Sequence, residues 1–147
     1  MSSKNAIQER GYVYNFHYHL VWVTKYRHPI FNQPKLAADM QGILSTIAAS
    51  NEITIEQVEV MPDHVYLLIS FKPKYAPATV VKVLKGVSAR RWFDLHPETK
   101  AELDHGHLWS PSYYMGTLGD MSKETAANYI QNQRTERGRG GRPKKAN

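Results

Sequence analysis

The chain contains no cysteine, which excludes disulfides and thiolate metal sites. No apolar run approaches the roughly 20 residues needed to span a bilayer. The opening MSSKNAIQERGY has no apolar signal core, so secretion is not expected and a cytoplasmic location is the default. There is no internal repeat and no break that marks a second domain, and 147 residues suit one domain with a real core. Acidic residues are missing in two places. Between His64 and Phe93 stand Lys72, Lys74, Lys82, Lys85, Arg90 and Arg91 with no Asp or Glu. From Arg134 to Asn147 there are six basic residues and one acid, so this stretch carries +5 of the net +6. Its composition, RGRGGRPKKAN, predicts a disordered basic tail over 135–147 that binds phosphate loosely or only aids solubility.

The remaining chain is ordinary in composition, 41% hydrophobic and 22% charged, and strongly patterned. Residues 1–10 read as a flexible N-terminus. From Tyr12 to Thr24 the sequence alternates, with Tyr12, Tyr14, Phe16, Tyr18, Leu20 and Trp22 on one face, which predicts one long strand with a buried aromatic side. Helical spacing follows in PKLAADMQGILSTIAASN, with Pro34 at its start. ITIEQVEV is a second strand. After the turn at Met61-Pro62-Asp63, Val65, Leu67, Ile69 and Phe71 form the apolar face of a third. Residues 77–95 read as a second long helix with Val80, Val83, Leu84 and Val87 as its stripe; residues 96–107 are irregular or weakly helical. LWSPSYYMGTLG is a fourth strand, broken early by Pro111 and so placed at an edge. Ser122 can cap a last helix reaching about Arg134, with Glu124 in its first turn. The order β-α-β-β-α-β predicts an α+β fold, a ferredoxin-like antiparallel sheet with helices on one side and an additional C-terminal helix. The other sheet face is then open for a ligand.

Three features bear on chemistry. On the third strand His64 and Tyr66 share the face opposite the core, about 6.5 Å apart along the strand. Such a pair can converge on one ion, or simply pack. His17-Tyr18-His19 offers a true His-x-His on the first strand, and spacing alone does not choose between the two. On the last helix Tyr129 and Gln133 stand at i and i+4, on one face and about 6 Å apart. A Tyr hydroxyl is a poor nucleophile at its free pKa of about 10, but beside a divalent cation it can attack a polarised phosphate. Gln133 supplies a neutral oxygen suited to Mg²⁺ or Mn²⁺. An amphipathic helix with a packed Tyr and a solvated Gln would look the same. Finally, LKGVSARRWF combines Lys85, Arg90 and Arg91 with the small Gly86 and Ser88 and with Trp92. Lys82 precedes it, and Lys25 and Arg27 stand in TKYRHPIF. Basic residues mixed with aromatics suit a nucleic-acid backbone with unstacked bases.

Taken together, YHLVWVTKYRHPIF, VEVMPDHVYLLIS, LKGVSARRWF, LWSPSYYMGTLG and YIQNQ, in this order and spacing, resemble the single-tyrosine transposases of the HUH (His-hydrophobic-His) endonuclease superfamily, from small insertion sequences that move as single-stranded DNA. The likeness covers a catalytic domain over about residues 11–134. It implies the ferredoxin-like sheet and a homodimer in which the tyrosine helix of one subunit completes the other's site. It implies recognition of DNA hairpins near the element ends, and a nucleoid-associated protein. A tyrosine would cut single-stranded DNA and stay joined to the 5′-phosphate, after which a free 3′-OH rejoins it. By motif position Tyr129 is the nucleophile, and His64 and Gln133 are ligands of Mg²⁺ or Mn²⁺. The resemblance places the metal motif at 64–66 rather than 17–19. Position 66 departs from it: the family has its second His where this chain has Tyr66. Either Tyr66 ligates through its oxygen, or water fills the place with Tyr66 behind it, or the site has lost most of its metal affinity. The expectations are a DNA transposase of reduced activity or, alternatively, a catalytically inactive DNA-hairpin-binding protein. An RNA-binding module is a third option, disfavoured because the first-strand aromatics read as core.

Overall fold

The computed structural model of the chain describes residues 7–9, 12–14, 17–103, 106–117, 123–133 and 135. Strands β1 (Ile7–Glu9) and β2 (Tyr12–Tyr14) pair antiparallel as a small separate hairpin. Then come β3 (Tyr18–Val23), a 3-10 turn at Lys25–Arg27, α1 (Pro34–Ser50), β4 (Ile53–Met61), β5 (His64–Phe71), α2 (Pro77–Leu95), a 3-10 stretch at Pro97–Glu102, β6 (Tyr114–Thr117) and α3 (Lys123–Gln131). The main sheet is antiparallel in the order β4-β5-β3-β6. This is the ferredoxin-like arrangement that the βαββαβ order predicts.

The principal elements fall where their patterns put them. Both long helices open on a proline, where its missing N–H costs nothing and its φ is already helical. Asn51 closes α1 by donating its side-chain amide to the carbonyl of Ile47 at 2.8 Å. Val65, Leu67 and Ile69 of β5 are 0% exposed and meet Leu20 and Trp22 of β3, with α1 contributing Met40, Leu44 and Ile47. An aromatic knot fills the end of this core: Phe31 lies edge-on to Trp92 at 5.0 Å, and Trp22 edge-on to Trp109 at 5.5 Å.

Four expectations are revised. The long first strand is two, β2 and β3, and only β3 joins the main sheet. Alternation continues through both, and period 2 carries no mark of which partner a strand takes. The fourth strand shrinks to Tyr114–Thr117 at the edge beside β3; upstream only the isolated Thr24–Trp109 bridge pairs. Pro111 lies between the two and has no N–H for a ladder. The last helix ends at Gln131 rather than near 134. Its expected cap, Ser122, and the basic tail from 136 onward lie outside the described residues. The face opposite α1 and α2 is partly covered, because α3 packs against β3 and Val21 and Val23 are 1% and 0% exposed.

Candidate active site

Residues Pro62 and Asp63 make a two-residue turn between β4 and β5, so His64 is the first residue of β5, directly across from Met61 on β4 and Val23 on β3. The turn also determines how His64 is held. Its Nδ1 lies 2.9 Å from Asp63 Oδ1. Asp63 Oδ2 in turn accepts from Arg27 Nε at 3.1 Å. The His64 hydrogen bond first, and the Arg27 contact after it, hold the Asp63 carboxyl below the usual carboxylate range against the opposing effect of burial. A carboxylate accepts, so Nδ1 is the donor of this bond, and a neutral imidazole held this way presents its Nε2 lone pair outward. This is the form in which an imidazole ligates a metal.

Tyr66 stands two residues along the same face, and its hydroxyl lies 2.6 Å from Nδ1 of His19. The two rings are 5.7 Å apart. Burial, with a smaller effect from Glu59 directly across on β4, pushes the Tyr66 phenol above its ordinary value. Burial lowers the His19 imidazole. Both effects favour a neutral pair in which the phenol donates to His19. The second histidine of the 17–19 pair is therefore the partner of position 66. His17 turns elsewhere: it is buried, with Nδ1 3.3 Å from Glu56 at the bulge in β4.

On the other side of β3 the tyrosine helix meets the loop before β6 at Ser112, a residue that no reading of the sequence named. Ser112 Oγ lies 2.9 Å from the Tyr129 hydroxyl and donates to Gln133 Oε1 at 2.9 Å. Gln133 Nε2 donates to the Tyr129 carbonyl at 3.1 Å. Although the helix stops at Gln131, a tightened turn carries on, with the Gln133 N–H bonded to the Ile130 carbonyl at 3.1 Å. That turn keeps Gln133 beside Tyr129. Burial raises the Tyr129 phenol, and the Ser112 bond partly offsets this. Tyr129 also lines an open cleft of about 690 Å³ with Tyr18, Tyr113, Tyr114 and Gly116. The only sign of Ser112 in the sequence was its place in LWSPSYYMGTLG; no spacing rule pairs it with a residue 17 positions away.

The predicted basic residues divide. Lys82, Arg90 and Arg91 are exposed on α2. Lys85 is mostly buried, donates to the carbonyls of Ser110 and Ser112 at 2.7 and 2.9 Å, and is lowered by burial to about 8. It braces the loop that presents Ser112. Lys85 and Arg90 also line a cleft of about 330 Å³ between α2 and residues 106–111, with Gly86, Phe93 and His107. Lys25 lies over the ring of Tyr26 at 5.1 Å, and Arg27 is spent on Asp63. Trp92 and Ser88, read as part of a nucleic-acid surface, are core residues at 0% exposure. Ser88 Oγ accepts from the Trp109 indole at 3.0 Å, and the Trp92 indole donates to Thr99 at 3.0 Å. A helix stripe does not reveal which indoles find buried partners.

Among the described residues no three His, Asp or Glu side chains converge on a metal position. The side chains that could supply donors to a hard divalent ion are fewer: His64, partly buried, and the amide oxygen of Gln133. The neutral Tyr66 phenol, bonded to His19, does not fit the role of an anionic ligand. Ser110 N–H bonds to the Val23 carbonyl at 3.0 Å, and Val23 faces His64 across the β3–β5 pair. The Ser112 loop is thus separated from His64 by β3, about 10 Å at the usual strand spacing.

A sequence-family model described as "Transposase IS200 like" matches residues 12–133. The ISDra2 transposase TnpA of Deinococcus radiodurans is 44% identical over 124 residues, 84% of this chain and 88% of that protein. The transposase for insertion sequence element IS200 of Salmonella typhimurium is 29% identical over 125 residues, 84% of this chain and 80% of that protein. A crystal structure of a Deinococcus radiodurans R1 protein assigned as a transposase superposes with a TM-score of 0.83 at 40% identity, covering 88% of this chain and 99% of that one. The structure of a REP-associated tyrosine transposase bound to a REP hairpin shares the fold, with a TM-score of 0.51 at 9% identity over 84% of this chain and 67% of that one. A DNA-binding recombination protein of an insertion sequence is what these relatives and this sheet describe, and the chain belongs to the IS200-like family of single-tyrosine HUH transposases.

Proposed function

We propose that the protein cleaves and rejoins single-stranded DNA at hairpin-marked element ends, with Tyr129 as nucleophile. The observation that carries this reading is the meeting of the Tyr129 hydroxyl and Gln133 Oε1 at one hydroxyl, Ser112 Oγ, each at 2.9 Å. In cleavage the Tyr129 oxygen bonds to phosphorus and the P–O3′ bond breaks. The 3′ oxygen leaves as a hydroxyl with the proton given up by the tyrosine, and the 5′-phosphate stays on Tyr129. Attack by another 3′-OH reverses the step, and the phosphotyrosine keeps the bond energy. His64 and Gln133 would hold Mg²⁺ or Mn²⁺, which when bound polarises the scissile phosphate. The tyrosine-lined cleft beside Tyr129 suits unstacked bases. Exposed Lys82, Arg90 and Arg91 on α2 suit the phosphate backbone. A hairpin partner accords with the REP-associated tyrosine transposase of the same fold, whose structure was solved bound to a REP hairpin.

The separation of Ser112 from His64 by β3 favours a homodimer in which α3 of one subunit serves the metal histidine of the other. Tyr66 lowers the metal affinity, since its hydroxyl is engaged by His19 and its phenol is kept neutral. The same observation supports a second reading, a hairpin-binding protein without cleavage.

A denaturing-gel adduct assay separates the two. Protein is incubated with Mn²⁺ and labelled single-stranded DNA bearing candidate end hairpins. A metal-dependent shifted band that disappears in Tyr129→Phe is the expected result. Hairpin binding with no adduct, in wild type and in Tyr66→His alike, would overturn the strand-transfer reading.

A further inference from the structure

The segment between β3 and α1 bends twice into the left-handed region, at Tyr26 (φ 55°) and Arg27 (φ 56°). Such backbone is strained for residues other than glycine and persists only where its surroundings hold it. What holds it here is the β4–β5 turn. Thr24 N–H donates to the Asp63 carbonyl at 3.0 Å and Phe31 N–H to the Pro62 carbonyl at 3.1 Å. The Thr24 hydroxyl donates to the His28 carbonyl at 2.7 Å, with the Asp63 carbonyl at 3.3 Å as a weaker, shared acceptor. The bend delivers the guanidinium of Arg27 to one oxygen of Asp63 at 3.1 Å, while the other oxygen faces His64 Nδ1 at 2.9 Å. Two motifs far apart in sequence, TKYRHPIF and MPDH, thereby become one unit with the imidazole at its end.

We infer that Arg27 is a positioning residue: through Asp63 it holds His64 in the Nδ1–H tautomer and leaves Nε2 unprotonated. A free neutral imidazole prefers its proton on Nε2, the tautomer that cannot ligate through that atom. Asp63 reverses the preference only while its Oδ1 faces Nδ1. Side-chain torsions of Asp are broad at their end, so a second anchor on Oδ2 is what keeps the carboxylate in that orientation. Arg suits the task better than Lys because its donors lie in a rigid plane. The value of this to catalysis rests on the function proposed above; the tautomer itself does not.

The test is two-bond ¹H–¹⁵N correlation on ¹⁵N-histidine-labelled full-length protein, free of metal and DNA, at alkaline pH where imidazoles are neutral. Wild type, Arg27→Lys and Arg27→Ala are compared, with His64→Asn to assign the signal. Mn²⁺ affinity is then measured on each. The expected result is Nδ1–H for wild-type His64, a shift toward Nε2–H in Arg27→Ala with Mn²⁺ affinity down about 10–100-fold, and partial retention in Arg27→Lys. An Nε2–H tautomer in wild type overturns the inference. So does an Arg27→Ala protein with unchanged tautomer, whatever its Mn²⁺ affinity. If that protein also binds single-stranded DNA with a salt slope smaller by about 0.7, Arg27 is a phosphate contact instead. Should Arg27→Ala not fold, the wild-type spectrum and Arg27→Lys decide. The expected tautomer shift without any Mn²⁺ binding in wild type would uphold the positioning role and count against the metal reading of His64.

Discussion

Replacing Tyr66 by His tests both what the tyrosine does now and what the site lacks. The substitution removes the hydroxyl that bonds to His19 at 2.6 Å. A neutral hydrogen bond of this kind contributes about 1 kcal/mol net, which for a domain of this size corresponds to about 4 °C in melting temperature. It also puts an imidazole on the face of β5 that carries His64, about 6.5 Å along the strand. If the restored ligand is worth the about 10–100-fold that metal sites lose with one partner, saturating Mn²⁺ adds about 1.4–2.7 kcal/mol of stability beyond what wild type gains. The two effects oppose each other, so the order should cross. Tyr66→His melts below wild type in EDTA and gains more from Mn²⁺, enough to draw level with wild type or pass it. Thermal unfolding of wild type, Tyr66→His and Tyr66→Phe, each with EDTA and with a Mn²⁺ series, reads this directly. Tyr66→Phe should show the loss without the gain. An equal Mn²⁺ response in all three would refute the placement of position 66 beside the metal.

Other consequences are simpler to check. In Ser112→Ala the bond that partly offsets burial at Tyr129 is gone, so Tyr129 should titrate at higher pH than in wild type; ¹³Cζ-tyrosine NMR, assigned with Tyr129→Phe, measures it. Burial, which disfavours the ammonium, lowers the Lys85 pKa in the folded protein from the ordinary 10.5 to about 8. Between those values the unfolded chain binds the extra proton, so stability should rise with pH across that window in wild type relative to Lys85→Met; urea unfolding at several pH values is the assay, and a difference falling with pH would contradict the burial argument. Leu67→Ala removes a fully buried β5 side chain and should cost about 2–5 kcal/mol in urea unfolding.

Much of this molecule was legible in one sequence because burial leaves a periodic trace. The alternation of Val65, Leu67 and Ile69 placed β5 and its faces. The stripe across residues 77–95 placed α2, and their order allowed few topologies. The motif strings, set in that order, led to the family and to His64, Tyr129 and Gln133. Where period 2 continued through two strands, at Tyr12–Tyr14 and Tyr18–Val23, the sequence could not show that they belong to different sheets.

What only the tertiary structure decided is who holds whom. Arg27 and Lys85 look alike in a list of basic residues. One is turned by a left-handed bend onto Asp63, and the other is buried against the carbonyls of Ser110 and Ser112. His19 looked like a rival metal ligand and is the partner of Tyr66. Ser112 was only one letter of a motif string until the β6 loop met α3. Periodicity records whether a side chain faces water or core, a property of its own element. A hydrogen-bond partner from another element is set by how strands are ordered and loops are bent, and no local pattern encodes that.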